Sequence, residues 1–299
     1  MSAESGFPGG IMNERARTLD RPDGARVGYG IVRGEATRPL LALAHGMGSN
    51  MTRWSEFFRE TALKASWDLL RFDMRGHGRS IWRGRVGMEI WCDDLAAILD
   101  TEGYERAVIG GNCLGANFAL HFARRYPART SGLALIEPMP PEAHTGPLRK
   151  LRWLAWLLRL AAESIRALNA LGLYRRRLPI LDLEALDAAS REAVRQDPQA
   201  ISRLYASPFF DLRYMPSAAY LQDLVELWRP VELETVAVPV LALPSSGRHF
   251  TDPALAEAAL RTLPRLTLEF IPALHWIPTE QPERMREAIE RWCKGVACR

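Results

Sequence analysis

The chain has 299 residues, of which 47% are hydrophobic and 25% charged, and its formal net charge is +4. That composition belongs to a globular chain able to bury a sizeable core, and the charge is too small and too dispersed for a nucleic-acid-binding surface. No uninterrupted apolar run is long enough to cross a bilayer, and the opening MSAESGFPGGIMNERARTLD lacks the apolar segment of a secretory signal, so a cytoplasmic location and no integral membrane segment are expected.

The elements follow in chain order. From Ala16, ARTLDRPDGARVGYGIVRG places two alternating runs about Asp23-Gly24, a hairpin signal. PLLALAHG is a near-continuous apolar run, as a strand buried on both faces should be. A helix around Trp54 to Ala65, the strand WDLLRFD, the helix GMEIWCDDLAAILDTEG and the strand RAVIGG come next. A further helix then leads to the strand GLALIEP, which ends at Glu137. Strands alternating with helices predict an α/β fold with a mostly parallel, doubly wound sheet. From 139 to 231 the pattern is helical without a convincing strand, and the alternation returns with VAVPVLALP, DPALAEAALRTLP, LTLEFIP and PERMREAIERWCKG. The predicted organisation is one core domain, 1–138 and 232–299, interrupted by a helical insertion, 139–231.

In such sheets reactive groups gather at the C-terminal strand ends. Three loops stand out there: HGMGSN (His45 to Asn50), GNCLG (Gly111 to Gly115) and PALHW (Pro272 to Trp276). In G-x-C-x-G a nucleophile sits on a strained strand-to-helix turn, where the flanking glycines let backbone and helix approach closely. The first amides of the following helix favour a thiolate or an oxyanion. Of the four cysteines, too sparse for a disulfide framework, Cys92 reads as a buried helix residue, and Cys293 and Cys298 carry no assigned role.

With HGMGS, the turn DMRGHGRS from Asp73 to Ser80, the elbow GNCLGA and the late histidine of PALHW in this order, the chain resembles the α/β-hydrolase family over nearly all its length. The resemblance implies an α/β-hydrolase fold with a helical cap, Cys113 as nucleophile, His275 as base, and oxyanion donors from the backbone N–H groups of Met47 and Leu114. The Asp73 to Ser80 turn reads as structural. The family's nucleophile is mostly serine, although dienelactone hydrolases and polyhydroxyalkanoate synthases use cysteine.

The family's usual place for the triad acid, after VPVLAL, falls on Gly247 or Arg248, neither of them an acid. Asp252 lies further on, where it suits a helix cap equally well. Glu137, at a strand end, is the preferred acid, as in certain haloalkane dehalogenases, and Asp252 is the alternative. A Cys-His pair leans less on its acid than a Ser-His pair, because a thiol ionises more readily.

His45, Trp153, Trp156 and Trp276 are the candidate pocket residues. In LRKLRWLAWLLRLAAESIRAL the arginines 152, 159 and 166 share a side opposite Trp153, Trp156, Leu157 and Leu160. The first reading is a cap helix packing its apolar side onto the domain. A second has that side lining an acyl pocket with the arginines drawing an anionic or CoA-linked head, and a third is a membrane-surface helix. His249 is noted near the missing acid, and His144 is expected to be exposed. No metal or organic cofactor is expected, since no ligand spacing or phosphate-cradling motif is present. The expected function is hydrolysis of an ester, thioester or lactone with an apolar acyl part through a covalent Cys113 acyl-enzyme. Acyl transfer through the same thioester is the alternative, and a weakly catalytic ligand-binding protein the reading of another class.

Overall fold

Strand β3, Leu40–Ala44, is the centre of the molecule, and it shows why the sheet must be covered on both sides. Leu40, Ala42 and Ala44 point into one apolar cluster while Leu41 and Leu43 point into another, so every residue of the strand is buried. The computed structural model describes residues 13–197 and 200–297. The opening segment read as lacking a secretory signal and Cys298 lie wholly or largely outside these residues.

Eight strands form one sheet: β1 Glu14–Asp20, β2 Arg26–Val32, β3, β4 Asp68–Phe72, β5 Ala107–Asn112, β6 Thr130–Ile136, β7 Val240–Leu243 and β8 Leu266–Leu268. Their order is β1-β2-β4-β3-β5-β6-β7-β8, antiparallel for the first two pairings and parallel from β4 onward. The order reverses about β3 and β5, which opens a crevice at their C-terminal ends.

The helices are α1 Ser55–Glu60, α2 Met88–Glu102, α3 Leu114–Arg125, α4 Gly146–Leu151, α5 Ala155–Ala170, α6 Leu183–Gln196, α7 Ala200–Tyr205, α8 Pro208–Asp211, α9 Ser217–Leu227, α10 Pro253–Leu260, α11 Ile277–Glu280 and α12 Pro282–Ala297. The single helix expected around Trp54 to Ala65 is three short pieces, because Thr61 leaves helical geometry and caps a separate 3-10 turn with its own hydroxyl. Among the described residues, everything regular between β6 and β7 is helical apart from one bridge between His144 and Thr251. His144 is buried beside that bridge, contrary to the expected exposure, because Thr145 N donates to Phe250 O and draws the segment against the loop after β7.

A buried ion pair secures the DMRGHGRS turn. His77 Nε2 lies 2.8 Å from Asp223 Oδ2 on α9, with both side chains inaccessible. Burial works against the imidazolium, but the Asp223 charge overcomes it and raises the His77 pKa. Asp73 accepts from Met51 N and Arg79 N at 2.7 Å each, which ties the turn to the chain after β3.

Candidate active site

At the end of β5 the chain reverses into α3 in one residue, and that residue is Cys113, with φ 55° and ψ −114°. Such a conformation costs a non-glycine residue about 1–3 kcal/mol and persists only where its surroundings enforce it. The enforcement is visible in the backbone: Cys113 N donates to Ile136 O, and Cys113 O accepts from Ala116 N and Asn117 N. Gly111 and Gly115 make the turn feasible. A Cβ on Gly115 would stand 2.5 Å from His45 O, and one on Gly111 would stand 2.4 Å from the Gly115 carbonyl.

One strand away, Glu137 repeats the pattern. It follows β6, adopts φ 48°, and its N donates to Leu243 O of the next strand. Its carboxylate accepts from Ser245 N at 2.6 Å and from the Thr251 hydroxyl at 3.3 Å. Oε1 also lies 3.2 Å from His275 Nδ1. The Nδ1–H is not aimed along that line, so the contact is one of charge more than of hydrogen-bond geometry.

His275 sits on the loop after β8, pinned by Glu280, whose carboxylate accepts from the backbone N–H groups of Leu274, His275 and Trp276. The ring is buried, which by itself would lower its pKa, but the contacts and charges of Cys113 and Glu137 outweigh burial and push it up to about 10. Cys113 Sγ is in hydrogen-bond reach of the imidazole and lies 3.1 Å from Met139 Sδ. Asn117 on α3 fixes Met139 by exchanging two hydrogen bonds with its backbone.

Asp252 is a helix cap. Its Oδ1 accepts from Ala254 N and Leu255 N at the start of α10, and Arg248 stands by its other oxygen. Gly247, which with Arg248 is one of the two positions where the acid was expected, has no room for a side chain. A Cβ would meet Ala273 O at 2.6 Å and Leu274 Cα at 2.7 Å, within the histidine loop itself.

The HGMGSN loop faces the elbow. His45 is the first correction to the expected pocket, since it is fully buried beneath the loop instead of lining the cavity. Its Nδ1 donates to Gly46 O and its Nε2 accepts from Met74 N, so it shapes the turn. Met47 and Leu114 present backbone N–H groups for which, among the described residues, no acceptor is recorded.

These elements enclose a cavity of about 50 Å³, lined by Met47, Cys113, His275 and Trp276 and by residues that sequence reasoning missed. Arg53 reaches Asp187 of α6 at 2.5 Å and Thr279 at 2.6 Å, and its guanidinium lies over the Tyr205 ring. Asp211 of α8 packs its carboxyl against Gly48, and burial followed by the nearby Asp223 charge pushes its pKa up to about 7. Nothing local in SPFFD or ALDAAS marks these acids, which α8 and α6 bring to the cavity and to Arg53. His249 meets Phe250 edge-on and Trp276 at a tilt without lining the cavity.

Trp153 and Trp156 are the second correction. They are 84% and 62% exposed and take no part in the pocket. Helix α5 packs on α9 through the opposite side, where Ala162 and the Arg166 stem are buried and Arg166 bonds Gly84 O and Gln222. That side, carrying Ala155, Leu158, Ala162 and Arg166, is the one packed inward, so the tryptophans are turned outward.

Residues 35–281 match the family described as serine aminopeptidase, S33. The chain belongs to this family of α/β-hydrolases. A putative carbamate hydrolase, RutD, from Caulobacter sp. (strain K31) is 24% identical over 87% of the chain and 92% of its own length. Epoxide hydrolase 3 of Xenopus tropicalis is 24% identical over 92% of the chain and 76% of its own length. Among solved structures, the enol-lactonase from Burkholderia xenovorans LB400 superposes with a TM-score of 0.68 at 16% identity, covering 93% of the chain and all of its own. A hydrolase from Pseudomonas aeruginosa PA01 gives 0.67 at 23% identity, covering 93% of the chain and 98% of its own. Against the serine of the family's description, this S33 chain carries Cys113 at its elbow.

Proposed function

We propose that the protein hydrolyses an ester, thioester or lactone through a Cys113 acyl-enzyme, with His275 as acid and base and Glu137 as the group that holds the imidazole. The observation that carries this reading is the position of His275 between the Cys113 thiol and the Glu137 carboxylate, which favours the protonated ring. His275 takes the thiol proton as Cys113 is activated. The thiolate attacks the substrate carbonyl carbon, and the carbonyl oxygen takes up the negative charge against the Met47 and Leu114 N–H groups. Collapse of that intermediate forms the thioester as His275 gives its proton to the leaving oxygen or sulfur. Water then attacks the thioester, His275 accepts its proton, and the Cys113 thiolate is released with the acid product.

Residues 139–231 act as the cap in this reading, held to the core through Arg53 and Asp187. The cavity of about 50 Å³ fits a short acyl group, far below the several hundred Å³ of ordinary ligand pockets. The test is intact-mass analysis after incubation with 4-nitrophenyl acetate, butyrate and octanoate. An acetyl or butyryl adduct on Cys113 is expected, absent in Cys113→Ala. Turnover persisting in Cys113→Ala would falsify the mechanism, and octanoate reacting as fast as acetate would overturn the short-acyl assignment.

A further inference from the structure

Helix α5 and the turn before it expose more large apolar surface than the described core requires. Trp153, Trp156 and Leu160 are 84%, 62% and 59% exposed, and Leu157 and Leu168 also face outward. Their spacing of three and four residues places them on one continuous side. The opposite side is already occupied by α9, so the outward stripe has no partner within the described chain. Contiguous exposed apolar patches of this kind mark surfaces that something else covers.

The charge around the stripe selects what covers it. Residues 147–180 contain eight basic side chains and one acidic, a net charge of +7, although the whole chain carries only +4. Arg149 and Lys150 before α5 and Arg176 and Arg177 after it are exposed, and among the described residues none of them has an ion-pair partner, whereas Arg152 and Arg159 turn toward the groove beside α9. A second copy would bring the same +7 against itself, whereas an anionic lipid surface complements both the charge and the tryptophans, whose rings suit the headgroup region. At sixteen residues, α5 is about 24 Å long, and no described helix is long and apolar enough to cross a membrane. Its geometry is that of a helix lying in the interface plane.

We propose that α5 and its basic flanks dock the protein on an anionic lipid surface, with Trp153, Trp156, Leu157 and Leu160 entering the headgroup boundary. The chain leaves this face through Leu171, Leu173 and Ile180 and reaches Leu181, which lines the cavity. The proposal does not depend on the chemistry assigned to Cys113.

The test is co-sedimentation of the full chain with vesicles of phosphatidylcholine alone and of phosphatidylcholine with about one third phosphatidylserine. Binding to the anionic vesicles is expected, weakening as salt rises and weak on the neutral ones. The double variant Trp153→Ser, Trp156→Ser should lose about tenfold or more in vesicle affinity. Arg176→Gln with Arg177→Gln, in the exposed segment after α5, should lose about fivefold per charge on anionic vesicles only. Both variants alter exposed residues outside the cavity and should turn over a water-soluble ester at the parent rate. Absence of binding to either vesicle overturns the proposal, as does equal binding to both or full binding by the tryptophan variant. Self-association that the tryptophan variant abolishes would assign the face to a second copy instead.

Discussion

Glu137 Oε1 and His275 Nδ1 meet 3.2 Å apart although 138 positions separate them in the chain, and Glu137 arrives there with φ at 48°. Glu137 directly follows β6, and its N donates to Leu243 O at the end of β7. Ser245 N then holds the carboxylate on the far side.

From this pair we expect Glu137→Gln to change the alkaline side of the activity profile. His275 is raised from 6.5 to about 10, so it remains protonated below that pH and able to supply the leaving-group proton. Removing the Glu137 charge lowers the histidine pKa, and the alkaline limb of kcat/KM should move down by about one unit or more. A limb that stays in place would show that Glu137 does not act on the imidazole.

Asp252→Asn separates the two candidate acids. Asn still caps a helix, so stability should change by less than about 0.5 kcal/mol, and Asp252→Ala should cost about 1 kcal/mol through the lost cap of α10. Neither should move the pH profile. Thermal melts and kcat/KM against pH, read on the same preparations, check both statements.

Gly247→Ala places a Cβ against Ala273 O and Leu274 Cα in the histidine loop. These are backbone atoms and cannot swing aside, so a cost of about 1–3 kcal/mol is expected, along with a fall in kcat as His275 is displaced. Normal kcat with an unchanged Tm would show that the loop gives way freely.

Asp211 should make the protein less stable as the medium becomes alkaline. Its folded pKa is raised from 3.8 to about 7, so the folded state binds the proton more tightly than the unfolded one. The stability this contributes is complete below pH 3.8 and is lost as pH rises toward 7, where a buried carboxylate must carry charge. Asp211→Asn should therefore melt higher than the parent at pH 8, by about 1–3 kcal/mol in stability, and much the same at pH 4. Equal melting differences at the two pH values would count against the buried titration.

Much of this molecule could be read along the chain. The alternation of short apolar runs with helical segments follows from local periodicity, and so does the parallel sheet, since strands such as LLALA are apolar at every position and need cover on both faces. The elbow was legible because its glycine spacing is written within a few residues of Cys113, although the backbone that Gly115 must approach, at His45 O, is distant in the chain. Helix α5 was legible as amphipathic but not in its orientation, because periodicity defines sides of a helix without naming the neighbour each side meets.

Sequence alone determined the sheet and the three loops that carry Cys113, Met47 and His275, because each is written in spacing over a handful of residues. Only the tertiary structure decided that Glu137 stands behind His275 while Asp252 caps α10, that Arg53 and Asp211 enter the cavity, and that Trp153 faces outward. Those outcomes depend on which distant segments pack together, and packing selects by shape and charge in three dimensions. In one dimension a carboxylate at a strand end and one at a helix start look alike.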